Sequence, residues 1–154
     1  MMAICLLDTS VFVEFLGVPA MSSRSREIVS EAKEKIKLGE KLFLPMATIL
    51  EAGNHISQNG DGNQRRQCAN RFVLQVALAI DGKSPFTPIN FLEADDMRQW
   101  ILDFPDAAMR GMGIGDLSII EDWKRQRRLH RGRRVYIWSL DSHLQGYDTN
   151  PPAD

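Results

Sequence analysis

Apolar residues fall along this chain in two rhythms. Ile4-Cys5-Leu6-Leu7 form an unbroken apolar run, which suits a strand buried on both faces of a parallel α/β sheet. Asp8 ends it, and Thr9 and Ser10 can cap the segment after it. Val11, Phe12, Phe15 and Leu16 are spaced for a short helix that Gly17 and Pro19 close. After a Ser-rich polar stretch, Ile28, Val29, Ala32, Ile36 and Leu38 recur at roughly helical spacing. This predicts a surface helix with Lys33, Glu34, Lys35 and Lys37 largely in water, ended by Gly39. Leu42 to Leu44 form a brief strand stopped by Pro45. MATILEAGNHIS then reads as a helix, with Met46, Ile49, Leu50, Gly53 and Ile56 on one side.

A loop at Gly60 to Gly62 leads to a long helix from about Gln64 to Ile80, its apolar positions Phe72, Val73, Val76, Ala77 and Ile80. Pro85 and Pro88 confine a third strand to a few residues around Thr87 to Ile89. LEADDMRQWILDF predicts a helix with Leu92, Met97, Trp100, Ile101 and Phe104 inward, ended by Pro105. Its acids Glu93, Asp95 and Asp96 suit the positive end of the helix dipole. Asp116 opens a later helix with Leu117, Ile120 and Trp123 on its apolar side. Val135 to Trp138 is the last clear strand, and the tail from about residue 146 is loop-like. Strands separated by helices predict one α/β domain over residues 1–154 around a parallel sheet. No linker divides it.

Composition changes this picture little. The 154 residues are 44% apolar and 25% charged, an ordinary globular balance with room for a sizeable core. Cys5 and Cys68 give neither a disulfide framework nor a metal spacing, and Cys5 reads as a core residue. The short apolar start has no basic residues before it and is cut by Asp8, so no signal peptide and no membrane span are expected. The expected location is cytoplasmic. The glycines at 111, 113 and 115 form GxGxG with no strand before them, which excludes a dinucleotide fingerprint.

Charge is uneven. The net charge is -1, yet residues 124–134, KRQRRLHRGRR, hold no acid. Such a run holds a polyanion backbone, or is a solvated helix end where cations suit the dipole. Arg127, Arg128, Arg131, Arg133 and Arg134 are the candidate nucleic-acid contacts.

The acids carry the chemistry. Asp8 and Asp141 each follow a strand, and right-handed crossovers put strand ends of a parallel sheet on one edge. Asp116 begins the helix leading toward the last strand, and Glu51 lies early in the helix after the second. Taken singly, Asp8 is a turn or cap residue or a ligand, and Asp116 a cap or a ligand. Together, four carboxylates from four segments can meet, where they would repel and raise each other's pKa. A divalent cation resolves this, and oxygen ligands favour Mg²⁺ or Mn²⁺ over zinc. His55 lies one turn from Glu51, His130 falls in the basic run and His143 follows Asp141; none has a ligand partner in the sequence. Glu121 and Asp122 read as surface residues.

The order of these motifs, LLDTSVFVEFL, ATILEAGNHI, GIGDLSII and VYIWSLDSHL, resembles that of the PIN-domain family of metal-dependent ribonucleases. The toxins of VapBC toxin–antitoxin systems are a large branch of that family. The likeness spans nearly all of residues 3–147, with Ser139 where Thr is usual. It implies a three-layer α/β/α sandwich around a central parallel sheet, frequent homodimers, and cleavage of RNA leaving a 5′-phosphate. On this expectation Asp8, Glu51 and Asp116 hold a first Mg²⁺ or Mn²⁺, Asp141 completes the cluster, and Thr9 or Ser139 supports a phosphate or water ligand, with N-capping as the alternative. An antitoxin protein is the implied partner. The competing readings are a DNA-directed or other metal-dependent phosphodiesterase and a non-catalytic binding module retaining the fold. A receiver-like phosphatase is disfavoured, because DTS supplies one acid only and WSLD has no lysine.

Overall fold

The computed structural model describes residues 2–89 and 93–149. Expectations for Leu92 and for the tail beyond Thr149 lie outside the described residues. The chain runs β1 (Ile4–Leu7), α1 (Thr9–Leu16), α2 (Ser25–Lys37), β2 (Lys41–Leu44), α3 (Met46–Gln58), α4 (Gly62–Ile80) and β3 (Phe86–Pro88). It continues through α5 (Ala94–Trp100), a 3-10 turn (Ile101–Asp103), α6 (Phe104–Met109), α7 (Ile114–Leu129), β4 (Val135–Trp138) and β5 (Asp148–Thr149).

The five strands form one sheet in the order β3-β2-β1-β4-β5. β1 is central and pairs in parallel with β2 and β4, from Ile4↔Val135 to Leu7↔Trp138 on one side. The two faces of β1 explain its unbroken apolar run. Cys5 and Leu7 pack with α1, α2, α3 and α4 residues such as Phe12, Ile28, Ala52 and Ala79. Ile4 and Leu6 pack with Ile119, Ile120 and Trp123 of α7. Alternate side chains of a strand point to opposite faces, so each pair meets its own helical layer. The result is a mostly parallel sheet between two helical layers, consistent with a three-layer α/β/α fold.

Four local expectations need correction. The sheet is not wholly parallel, because Asp148–Thr149 of the loop-like tail pairs antiparallel with β4. α4 starts earlier than Gln64, since Asp61 accepts from the Gln64 N–H while the Gln64 side chain accepts from the Asp61 N–H, a capping box. Its buried side is Cys68 and Ala79 with Phe72 and Val76 packed alongside; Val73 and Ile80 face water. Pro105 does not end a helix but starts α6, in the first turn where a missing N–H is harmless. Lys35, expected in water, donates to the Tyr136 hydroxyl at 2.8 Å and lies over the Tyr136 and Trp138 rings.

Two local features position the chain around the end of β1. Gly17 closes α1 with φ +71°, a left-handed conformation that glycine adopts without strain. Thr48, fully buried in α3, donates its hydroxyl to the Leu7 carbonyl at 2.7 Å. This bond ties α3 to the last residue of the central strand. Thr48→Val should therefore cost about 1–2 kcal/mol, seen as a lowered Tm, because a buried carbonyl loses its donor. Thr48→Ser keeps the hydroxyl and should lose less; equal losses would show that the hydrogen bond does not contribute.

Candidate functional site

The parallel pairing of β1 and β4 brings their C-terminal ends together, and the Asp8 N–H donates to the Trp138 carbonyl at 3.0 Å. Asp8 caps α1 with its backbone only: its carbonyl accepts from Val11 and Phe12, while its side chain makes no capping bond. That buried carboxylate accepts instead from the Ser10 and Ser139 hydroxyls, both at 2.7 Å. Ser139 Oγ in turn accepts from the Asp141 N–H at 2.9 Å, and Ser10 Oγ from the Leu140 N–H at 2.9 Å. The Ser139 hydroxyl thus joins Asp8 to the Asp141 backbone. Asp141 Oδ1 accepts from the His143 N–H at 3.0 Å.

Glu51 reaches the same edge because Thr48, one turn earlier on α3, is pinned to Leu7. Thr9 donates to Glu51 Oε2 at 2.9 Å. Gly115 faces the same carboxylate so closely that an added Cβ would overlap it. A side chain at this position would move Glu51 from its place beside Thr9. Asp116 is the third residue of α7, and no side chain caps that helix. Its carboxyl is pushed up to about 6, first by burial, then by the charges of Asp8, Glu51 and Asp141; the His143 imidazole opposes them. Asp116 therefore lies in the field of the other three acids.

Proximity is not the same as a preformed metal site. Among the described residues no group of three or more His, Cys, Asp or Glu side chains is set so as to hold a metal ion. Asp8, Glu51 and Asp141 each engage a hydrogen-bond donor of the protein: serines, a threonine and a backbone N–H. In kind, four carboxylates with nearby hydroxyls fit a hard divalent cation, and the Gly115 cradle holds Glu51 among them.

Thr9 and Ser139 both bond to the acids rather than cap a helix. Ser10, Gly115 and His143 were missed as site residues; only the local spacing DTS and SLDSH hinted at Ser10 and His143. His55 is half-buried on α3, and its carbonyl accepts from the Asn59 side chain. His130 sits past the end of α7, where burial and the nearby Arg133 and Lys41 lower its pKa. Asp122 is not a surface residue: it is 4% exposed, pairs with Arg125 at 3.1 Å, and burial raises its carboxyl to about 6. Glu121 pairs with Lys124 at 3.1 Å.

The basic run is spread away from the acids. α7 starts at the site, and at ~1.5 Å per residue Arg127 is about 16 Å further along it than Asp116. Arg127 stacks on Trp123, 4.5 Å from the ring centre. Arg131 and Arg133 follow α7, and Arg134 precedes β4 at the opposite edge of the sheet from Asp8. Arg134 makes two bonds to the Asp148 carboxylate, 3.0 and 2.8 Å, and lies over the Tyr136 ring. These arginines therefore lie apart from the four acids.

No family model, no curated protein and no solved structure matches the chain.

The raised carboxyls set a pH dependence. Asp116 and Asp122 have folded values near 6 against an ordinary value of 3.8, so the folded state holds their protons more tightly. Their favourable contribution is complete below about pH 4 and is lost as pH rises toward 6. Tm without divalent cation should fall across that window, and Asp116→Asn should flatten part of the fall, leaving the Asp122 part. A variant whose profile overlays the wild type would show that Asp116 titrates normally.

Proposed function

We propose that the protein is a metal-dependent endoribonuclease of the PIN-domain kind. The observation that carries this reading is the gathering of Asp8, Glu51, Asp116 and Asp141 from four separate segments at one sheet edge, with the Asp116 carboxyl raised first by burial and then by the charges of the other three. Like charges brought together without a cation oppose folding, so their assembly argues for a function that uses them. Asp8, Glu51 and Asp116 would hold Mg²⁺ or Mn²⁺, with Asp141 completing the set. The ion, when bound, lowers the pKa of a water and offsets charge growing on the phosphate oxygens.

The chain's own residues have separable roles. Ser139 and Ser10 hold the Asp8 carboxylate in one orientation. Thr9 does the same for Glu51, and Gly115 leaves the space that Glu51 occupies. His143, exposed and close enough for its charge to act on Asp116, brings an imidazole to a phosphate or a leaving group. RNA as substrate, a homodimer, an antitoxin partner and a cytoplasmic setting come from the family likeness and share its standing as proposals. No helix of the described residues is long and apolar enough to cross a membrane.

Asp116→Asn should reduce Mn²⁺-dependent cleavage of an RNA pool by more than about 100-fold while leaving RNA binding within a few-fold, because losing a ligand outweighs losing an outer-shell partner. Gly115→Ala should fold as well as wild type, since alanine favours a helix by roughly 0.5–1 kcal/mol, yet lose the Mn²⁺-induced rise in Tm as Glu51 is displaced. Wild-type protein with neither a Mn²⁺-induced rise nor cleavage of RNA or DNA would leave a non-catalytic module.

The basic run has its own test. Replacing Arg127, Arg128, Arg131 and Arg133 with Gln should make RNA binding less salt-dependent, by about 0.7 in log–log slope for each phosphate that is no longer neutralised. Arg134→Gln should leave the slope unchanged, because its partner is Asp148. An unchanged slope in the fourfold variant would assign the run to solvation or a protein partner.

A further inference from the structure

Helix α4 turns an apolar stripe to water. Cys68 and Ala79 are buried, and Phe72 and Val76 pack beside them, which uses one side of the helix. On another side Arg66, Asn70, Val73, Ala77 and Ile80 are all exposed. They recur at intervals of four, three, four and three residues, the spacing of a seam along which one helix meets another. Val73 is 61%, Leu74 57% and Ile80 68% exposed. A lone exposed apolar residue is ordinary, but a contiguous patch rimmed by polar residues marks an interaction site.

The charges of α4 run against its own dipole. Asp81 is the C-cap, where the dipole disfavours an acid, and the last turn holds no base. Arg65 and Arg66 follow the first turn, near the pole that disfavours cations. Among the described residues no ion pair or side-chain hydrogen bond engages Arg65, Arg66 or Asp81. An open cleft of about 480 Å³ lies between α3 and α4, walled by Gly53, Ser57, Arg65 and Arg66 among others. It joins the basic end of the stripe and has no carboxylate in its wall.

An apolar partner of any sequence would cover Val73, Leu74 and Ile80 but would leave these charges unanswered. A second α4 running antiparallel answers both. Arg66 and Asp81 lie equally far, in opposite directions, from the point between Val73 and Leu74. A twofold axis at that point brings Arg66 of each copy to Asp81 of the other. We propose that the exposed side of α4 is the contact between two copies of this chain, packed antiparallel with Val73 and Leu74 at the centre and an Arg66–Asp81 pair at each end. Such a contact is isologous, so the two pairs form together. The cleft gives the incoming Asp81 carboxylate a seat beside Arg65 and Arg66. The inference rests on α4 alone and not on the nuclease reading, whose four acids take no part in it.

The test uses the full chain, without RNA or added metal. Sedimentation over about 1–200 µM should show a dimer in exchange with the monomer, since one helix face is small for a specific interface. Arg66→Asp and Asp81→Arg each place a charge that suits the dipole of α4, so both variants should keep the wild-type circular dichroism. Each should weaken the dimer at least about tenfold, because the twofold turns one substitution into two like-charge contacts. Mixed in equal amounts, the two variants should recover the wild-type dimer as a heterodimer, in which both contacts join opposite charges. Val73→Lys, at an exposed position, should leave a folded monomer. Wild-type protein that stays monomeric at the highest concentration would overturn the second copy as occupant and give the face to a different partner. A dimer unmoved by Val73→Lys would lie on another face. A mixture that associates no better than its components would overturn the antiparallel pairing. RNA cleavage is not read in this experiment, so each outcome leaves the nuclease reading untouched.

Discussion

Strand β1 is hydrogen-bonded on both sides and covered on both faces, and that double burial is the constraint to which the other elements answer. A four-residue strand with no exposed side chain leaves its chain no freedom of register. Its fixed end delivers Asp8 to one point, and the Asp8 N–H extends the ladder to Trp138. β4 ends at the same level because its register with β1 is parallel and unshifted. α3 is drawn to that level by the Thr48 hydroxyl on the Leu7 carbonyl. The acids meet because the apolar core places the chain ends there, against their mutual repulsion.

The two edges of the sheet handle charge in opposite ways. Near the start of β1 and β4, Lys35, Glu40, Arg134 and Asp148 surround Tyr136 with paired charges and stacked cations. Tyr136 and the buried Cys5 are both held well above their ordinary pKa by burial first, Cys5 at about 12. Around Tyr136 each of these cations has a carboxylate partner. At the other edge the carboxylates are of one sign and are steadied by hydroxyls and a backbone N–H, which orient them without cancelling their charge. Around Tyr136 opposite charges are paired; around Asp8 hydroxyls and a backbone N–H take the place of counter-charges.

The geometry also separates two features that lie close in sequence. Asp116 and the arginines of residues 124–134 belong to one helix and the turn after it, yet α7 carries them from one edge of the sheet to the other. A ligand reaching both must be extended. A cavity walled by Trp100, Glu51 and Asp122 lies along the helix between them.

The features that the sequence determined by itself obey short-range rules. The apolar run of β1, the strand VYIW, the stop at Pro45 and the acids after strand ends are legible because period and punctuation are local. So is the expectation that Asp8 and Asp141 share an edge, which needs only parallel strands. The tertiary structure decided whatever depends on which neighbour arrives. α4 buries Cys68 and Ala79, with Phe72 packed alongside, rather than Val73 and Ile80, because the apolar residues of its second half lie on more than one side until α1 and α3 select one. Asp122 reads as a surface acid in a charged stretch, and in the fold it is buried and paired with Arg125. Asp148–Thr149 has no strand pattern and becomes a strand because β4 offers it an open edge. Gly115 looks like one glycine of three, and only the Glu51 carboxylate packed against it shows that a side chain there would displace Glu51.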